Sequence, residues 1–264
     1  MKKLFLGSLL AVCALLMTSC LDGGSNERSG VGYGVIGYSE TFKPVIKTGG
    51  VPFYAVEVAN AFNKTEIEIN DCCVFYYTLN SDIPENSSES LAANGYYTVS
   101  VTQYADIPKG YANSFVDDTA TIIQNEMTTM SIDMSNTGIL TDKNINMLFL
   151  STIHENYFKD QKQELRLSYN RDQEPETVNG DKVYNLFLRV IKTEGDKSIS
   201  STQQLINAFD MNRFIQDFQY KEEQDSKKSL KYRINFANSF TKDSTQINWK
   251  ASDIMTYTFP KEEE

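Results

Sequence analysis

The side chains able to do unusual chemistry are few in this sequence. There is one histidine, His154, and four cysteines, two of them adjacent at Cys72 and Cys73. A single histidine excludes HExxH and every multi-histidine metal site, and a Ser-His-Asp triad would have to use His154 without a G-x-S-x-G elbow to accompany it. The segment "STIHENYF" predicts instead a partly exposed histidine at a strand end. Adjacent cysteines on a strand point to opposite faces, so a Cys72–Cys73 disulfide would need a strained turn. Next to "VFYYTL" they read as two small buried apolar side chains. "DQEPETVNGD" gathers Asp172, Glu174, Glu176, Asn179 and Asp181, oxygen ligands of the kind calcium takes. An EF-hand needs Gly sixth and Glu twelfth, but Thr177 and Val183 stand there, so a solvated acidic hairpin loop is expected. "GYGVIG" (Gly32, Gly34, Gly37) matches the dinucleotide fingerprint in letters only. That motif works between a strand and a helix, where backbone N–H groups meet a pyrophosphate. Here "YSETFKPVIKTGG" follows, and a glycine-rich first strand is the better account. The expectation is therefore no catalytic set, no metal site and no cofactor, although 35 Asp and Glu leave a carboxylate-based hydrolase open.

The elements that would hold such residues are mostly strands. With 264 residues, 41% hydrophobic, 15 Phe and 15 Tyr, the chain can bury a substantial core. A formal charge of −10 argues against a nucleic-acid partner, because phosphate binding needs a basic surface. Period-two alternation runs through "VPFYAVEVAN", "TEIEINDCCVFYYTL", "GYYTVSVTQY" and "MTTMSIDM". It returns in "NINMLFLSTI", "QELRLSY", "KVYNLFLRVIK" and "LKYRINFANSF", where Leu230, Tyr232, Ile234 and Phe236 share one face. One helix is predicted in "SSTQQLINAFDMNRFIQDF", with Ser201 and Gln204 as its capping box. "SNTGILTDKN" (residues 135–144) has no sustained period and reads as a linker. The fold class is mainly β with two β domains. Residues 35–137 are expected to form a small barrel or sandwich, OB-like in one version, and residues 140–260 a β-sandwich with one short helix.

The N-terminus carries an address. Lys2 and Lys3 precede a fourteen-residue apolar stretch, residues 4–17, too short to span a bilayer comfortably and suited to a secretory signal. It ends in "MTSC", which resembles the relaxed lipobox of Bacteroidota lipoproteins. The resemblance implies that residues 1–19 are a signal peptide and that Cys20 is lipidated with more than one acyl chain, enough for stable anchoring. With Cys13 removed and Cys20 acylated, Cys72 and Cys73 have no third cysteine to pair with. Residues 20–34, beginning "CLDGGSNERSG", are expected to be a flexible tether. Asp22 and Glu27 favour the outer membrane and leave its face open. "DTA" and "DST" resemble the Bacteroidota O-glycosylation acceptor, which would modify Thr119 and Ser244.

Together, "SCLD" and the series "NINMLFLS", "QELRLSYNRD", "KVYNLFLRV" and "FDMNRF" resemble the NigD-like lipoproteins of Bacteroidota. That resemblance implies a lipid-anchored chain with an OB-like first domain and a C-terminal sandwich, and it implies no enzymatic role. The leading expectation is a non-enzymatic outer-membrane lipoprotein that binds a protein partner at the envelope. A glycan-binding surface lipoprotein is the alternative, for which a single tryptophan, Trp249, offers little aromatic platform.

Overall fold

The computed structural model describes residues 26–115, 119, 121–157, 161–195, 201–243 and 245–260. The signal peptide and Cys20 lie outside them, as does Ser244. The chain forms two compact units, Met1–Pro108 and Lys109–Glu264, and both are β-rich.

The first unit is a six-stranded sheet built on one long strand. Strand β1 (Glu27–Tyr38) pairs through residues 27–35 with β4 (Cys72–Asn80), and its last four residues pair with β2 (Pro44–Lys47). Short strands β3 (Phe53–Tyr54) and β5 (Tyr97–Thr98) extend the sheet beyond β2, and β6 (Ser100–Ile107) closes the other side against β4. Helix α1 (Val56–Asn63) adds Val58 and Ala61 to a core shared with Ile36, Ile46, Phe75 and Val101. A second helix, α2 (Ser88–Asn94), buries no side chain; Ser87 caps its start and Gly95 ends it in the left-handed region at φ 71°.

Three expectations change here. Strand β1 starts inside the segment expected to be a tether, because Glu27 and Ser29 bond across to Asn80 and Thr78. Gly30 and Gly32 stand directly opposite Tyr77 and Phe75, whose rings lie over the bare backbone. The expected strand "VPFYAVEVAN" is a two-residue strand followed by α1, since Val58, Ala61 and Phe62 repeat at helical rather than alternating spacing. "TEIEIN" is a turn, with Thr65 and Asn70 at positive φ. The glycine-rich first strand itself is present.

The second unit is one sheet whose main path runs β10-β11-β15-β7-β12-β14-β16-β17. These are β10 (Gly138–Asp142), β11 (Ile145–Tyr157), β15 (Ser201–Asp210), β7 (Lys109–Asn113), β12 (Lys162–Ser168), β14 (Asp181–Glu194), β16 (Ser229–Phe240) and β17 (Ile247–Ala251). Strand β7 is the joint, parallel to β15 on one side and β12 on the other. The sheet curls, so that Leu148 and Phe209 from one end share a core with Leu186, Tyr232 and Phe236 from the other. Helix α3 (Asn212–Gln224) lies in that core through Phe214, Ile215 and Phe218. The face expected for "LKYRINFANSF" is correct: Leu230, Tyr232, Ile234 and Phe236 are all buried.

The boundary between the units falls at Pro108/Lys109 rather than at residues 135–144. Lys109 opens a strand at the centre of the second sheet. Residues 138–142, expected to be linker, form a hairpin with β11. The expected helix also divides. Residues 201–210, with the supposed capping box, pair with the long strand β11, and only the part after Met211 is helical. Cross-strand pairing with a 13-residue neighbour outweighs the weak local helical spacing.

Candidate functional site

The residues singled out by their chemistry do not converge. His154 is fully buried, not a partly exposed strand-end residue. Its Nδ1 lies 3.2 Å from the carbonyl of Thr128 and its Nε2 2.9 Å from Thr152 Oγ1. A carbonyl can only accept, so Nδ1 carries the proton and Nε2 accepts from the Thr152 hydroxyl. Burial lowers its pKa, and the Thr128 contact offsets this only in part. The imidazole is a neutral tie between two pieces of chain.

The piece it ties is a strap of which the sequence showed only "MTTMSIDM", as a strand. Thr119 and residues 121–133 run across the second sheet. Glu126–Met127 pairs with β14 and Ser131–Ile132 with β11, the N–H groups of Thr129, Met130 and Asp133 donate to the carbonyls of Ala237, Ile153 and Ser151, and side chains add further bonds to strap backbone. Trp249 Nε1 donates to the Thr119 carbonyl at 2.8 Å, and Arg189 Nη2 donates to that of Thr121. Asn238 Nδ2 reaches the carbonyls of Thr129 and Met130. Gln204 bonds both Asp133 and Ser151. At the centre Arg189 grips Glu126 with two hydrogen bonds, Nε to Oε1 at 2.8 Å and Nη2 to Oε2 at 2.6 Å. Both side chains are almost wholly buried. The backbone N–H of Ile123 also donates to Glu126 Oε2. Thr119, read as an O-glycosylation acceptor, is half-buried in this strap.

Beside the strap is a shallow cavity of about 290 Å³ whose wall includes Thr128, Glu155, Gln161, Lys192 and Phe240. Its buried carboxylate, Glu126, is already committed to Arg189. On the core side, α3 offers two more carboxylates, and both are occupied: Tyr169 donates to Asp217 at 2.6 Å and Tyr184 to Glu222 at 2.8 Å. Burial first, and then these carboxylates, raise both phenol pKa values. The acidic loop is largely solvated, as expected, and turns at Asn179–Gly180, both at positive φ, between Glu176–Val178 and β14. Among the described residues no group of three or more His, Cys, Asp or Glu is placed to hold a metal ion.

In the first unit Cys72 and Cys73 are both buried thiols in no disulfide. Cys73 joins the core, whereas Cys72 takes the other face, in register with Val35 and Ile107. Burial, and secondarily Cys72, pushes the Cys73 thiol up to about 12. Such a shift leaves about a thousandfold less thiolate at neutral pH, and thiolate is the reactive form. Maleimide should therefore label the native protein slowly and label both thiols fully in denaturant. Rapid native labelling would contradict this packing.

In the first unit, the turn joining β1 to β2 carries the large apolar side chain most exposed among the described residues, Phe42. Phe42 N–H donates to the Ser39 carbonyl, Ser39 N–H to the Lys43 carbonyl, and Lys43 N–H to Ser39 Oγ. This small bonded loop holds Phe42 at φ 58° with its ring 84% exposed. Tyr38, at the base of the turn, packs edge-on against Phe62 and stays 44% exposed. Lys43 lies over the rings of Tyr54 and Tyr96. The signal in the sequence was an aromatic set inside the polar turn "YSETFKP".

The fold and these sites define a two-unit β protein in which His154, Arg189, Glu126, Asp217 and Glu222 tie parts of the second unit together. Residues 24–105 match the family model of the lipoprotein OB domain. An uncharacterised protein from Parabacteroides merdae is 26% identical, with a TM-score of 0.77 over 88% of this chain and 100% of its own. A candidate lipoprotein from Bacteroides fragilis shares the fold at 10% identity, with a TM-score of 0.52 over 89% of this chain and 100% of its own. A NigD-like immunity protein from Bacteroides caccae aligns at 8% identity over 87% of this chain and 96% of its own, with a TM-score of 0.47. No curated protein matches in sequence. Residues 24–105 are thus similar to the lipoprotein OB domain, and the chain as a whole shares its fold with the Parabacteroides merdae and Bacteroides fragilis proteins.

Proposed function

We propose that this chain is a cell-envelope lipoprotein, anchored in the outer membrane through acylated Cys20, which binds a protein partner and catalyses no reaction. The observation that carries the reading is where the lipoprotein OB match begins. It starts at residue 24, four positions after the cysteine that closes the lipobox-like "MTSC". Strand β1 opens at Glu27, so only a few residues separate the acylated cysteine from the folded unit. The absence of catalysis is supported by how the chemistry-bearing groups are used. His154, Arg189, Glu126, Asp217 and Glu222 each hold two parts of the fold together.

The anchor is tested by Cys20→Ala. Wild-type protein should sediment with the membranes and incorporate labelled palmitate. The variant should do neither, and should appear in the soluble envelope fraction or the medium. Equal membrane association of both forms would sink the anchor. Thr119→Ala and Ser244→Ala, compared by intact mass, test the two proposed glycan acceptors: each should remove one discrete glycan increment.

A further inference from the structure

We propose that the β1–β2 turn, residues 39–43, is the contact by which the first unit engages its partner, with Phe42 inserting into an apolar, ring-sized pocket on another envelope protein. This deepens the proposed function and rests on it. Two observations at one position carry the inference. A ring 84% exposed gains nothing from burial within this chain. A bulky residue at φ 58° is held in a backbone region that glycine or asparagine occupies at lower cost. Neither packing nor turn chemistry accounts for phenylalanine there. The bonded base, Ser39 to Lys43, fixes the backbone that carries the ring before any encounter, so only side-chain freedom is lost on docking.

The occupant follows from reach, shape and charge. Residues 20–25 span at most about 21 Å, whereas β1 carries the turn about 36 Å from its own start. The N-terminal segment therefore cannot fold back over Phe42, and β1 leads the turn away from the anchored end. A formal charge of −10 disfavours an anionic lipid surface. One aromatic on a narrow, hydrogen-bonded turn fits a pocket better than a flat face, as interface anchors do.

The test places p-benzoylphenylalanine at Phe42, or at Tyr104 on β6 as an exposed control, in the full lipidated chain within the cells that make it. Irradiation should give one discrete adduct from position 42 and none from position 104, identified by peptide mass as a single second protein. That protein, once purified, should bind the wild-type chain, and Phe42→Asn should weaken binding by ~30-fold or more, the scale of an interface hot spot. The same variant should melt no lower than wild type, because asparagine tolerates the left-handed conformation. An adduct to lipid, an adduct to a second copy of this chain, or no adduct overturns the proposal. So does a lower melting temperature for Phe42→Asn, which would make the ring structural. If wild-type protein sediments with membranes and position 42 still gives no adduct, the docking turn alone fails. If wild type is not in the membranes, the envelope reading fails whatever position 42 shows.

Discussion

Glu126→Ala should destabilise the second unit by about 3–5 kcal/mol, the cost of leaving one member of a buried ion pair without the other. The side chain of Arg189 is 3% exposed and makes two charge-assisted bonds to this carboxylate. It also donates to the Thr121 carbonyl, which carries no full charge. Alanine would leave a cation in the interior and free the Ile123 N–H as well. Replacing both partners, as Glu126→Leu with Arg189→Met, removes the unpaired charge and should recover most of the loss. Recovery should stop about 1–3 kcal/mol short, since the Ile123 N–H loses its Glu126 acceptor and the Thr121 carbonyl its Arg189 donor. The sole tryptophan, Trp249, bonds the same strap at Thr119, so its fluorescence in a urea titration reports this unit. A single variant within 1 kcal/mol of wild type would show that the pair does not hold the strap.

How far the sequence could reveal this arrangement depended on the separation of the interacting parts. In β16 every second residue is apolar, and those residues are the ones buried, because alternation is a local consequence of the pleat. The glycines of β1 could be read as a strand for the same reason, though the start of that strand could not. Glu27 and Ser29 look like tether until Asn80 and Thr78 are brought beside them. Of the strap only the alternation of "MTTMSIDM" was legible, and it shrinks to Glu126–Met127 and Ser131–Ile132. The strap's ties join residues 63 apart for Arg189 and Glu126, and 130 apart for Trp249 and Thr119, and no periodicity encodes a side chain meeting a distant carbonyl. His154 was misplaced by that same gap, since its burial comes from the strap crossing over it. The domain boundary moved because a five-residue strand, Lys109–Asn113, is parallel to both neighbours, and parallel partners are remote in sequence by necessity.

Gly34→Ala should be the most damaging small substitution in the first unit. The glycines at 30, 32 and 34 fall on the same face of β1 as Ile36, the face turned to the core. A methyl at Gly34 would sit 2.2 Å from Ile46 Cγ2 and 2.7 Å from the Lys47 carbonyl oxygen. The first obstruction is a buried branched side chain and the second is backbone in the paired strand β2, so neither moves without disturbing the β1–β2 ladder. Overpacking of this kind costs about 1–3 kcal/mol and more where backbone must shift, which puts Gly34→Ala at the upper end or beyond. At Gly30 the nearest atoms belong to the Tyr77 ring at 3.1–3.2 Å, and Gly30→Ala should be markedly milder. Gly138→Ala, with nothing within 4 Å, should be neutral. Because part of the clash is with Ile46, adding Ile46→Ala to Gly34→Ala should gain less than full rescue: the Lys47 carbonyl remains, and a core side chain is lost. Cys72 and Cys73 provide the readout, since both are buried in this unit and should react only when it opens. Their maleimide labelling across a denaturant series should shift to lower concentration for Gly34→Ala, shift slightly for Gly30→Ala and coincide with wild type for Gly138→Ala. Equal curves for Gly34→Ala and wild type would mean that Ile46 and the Lys47 carbonyl of β2 do not lie against this glycine.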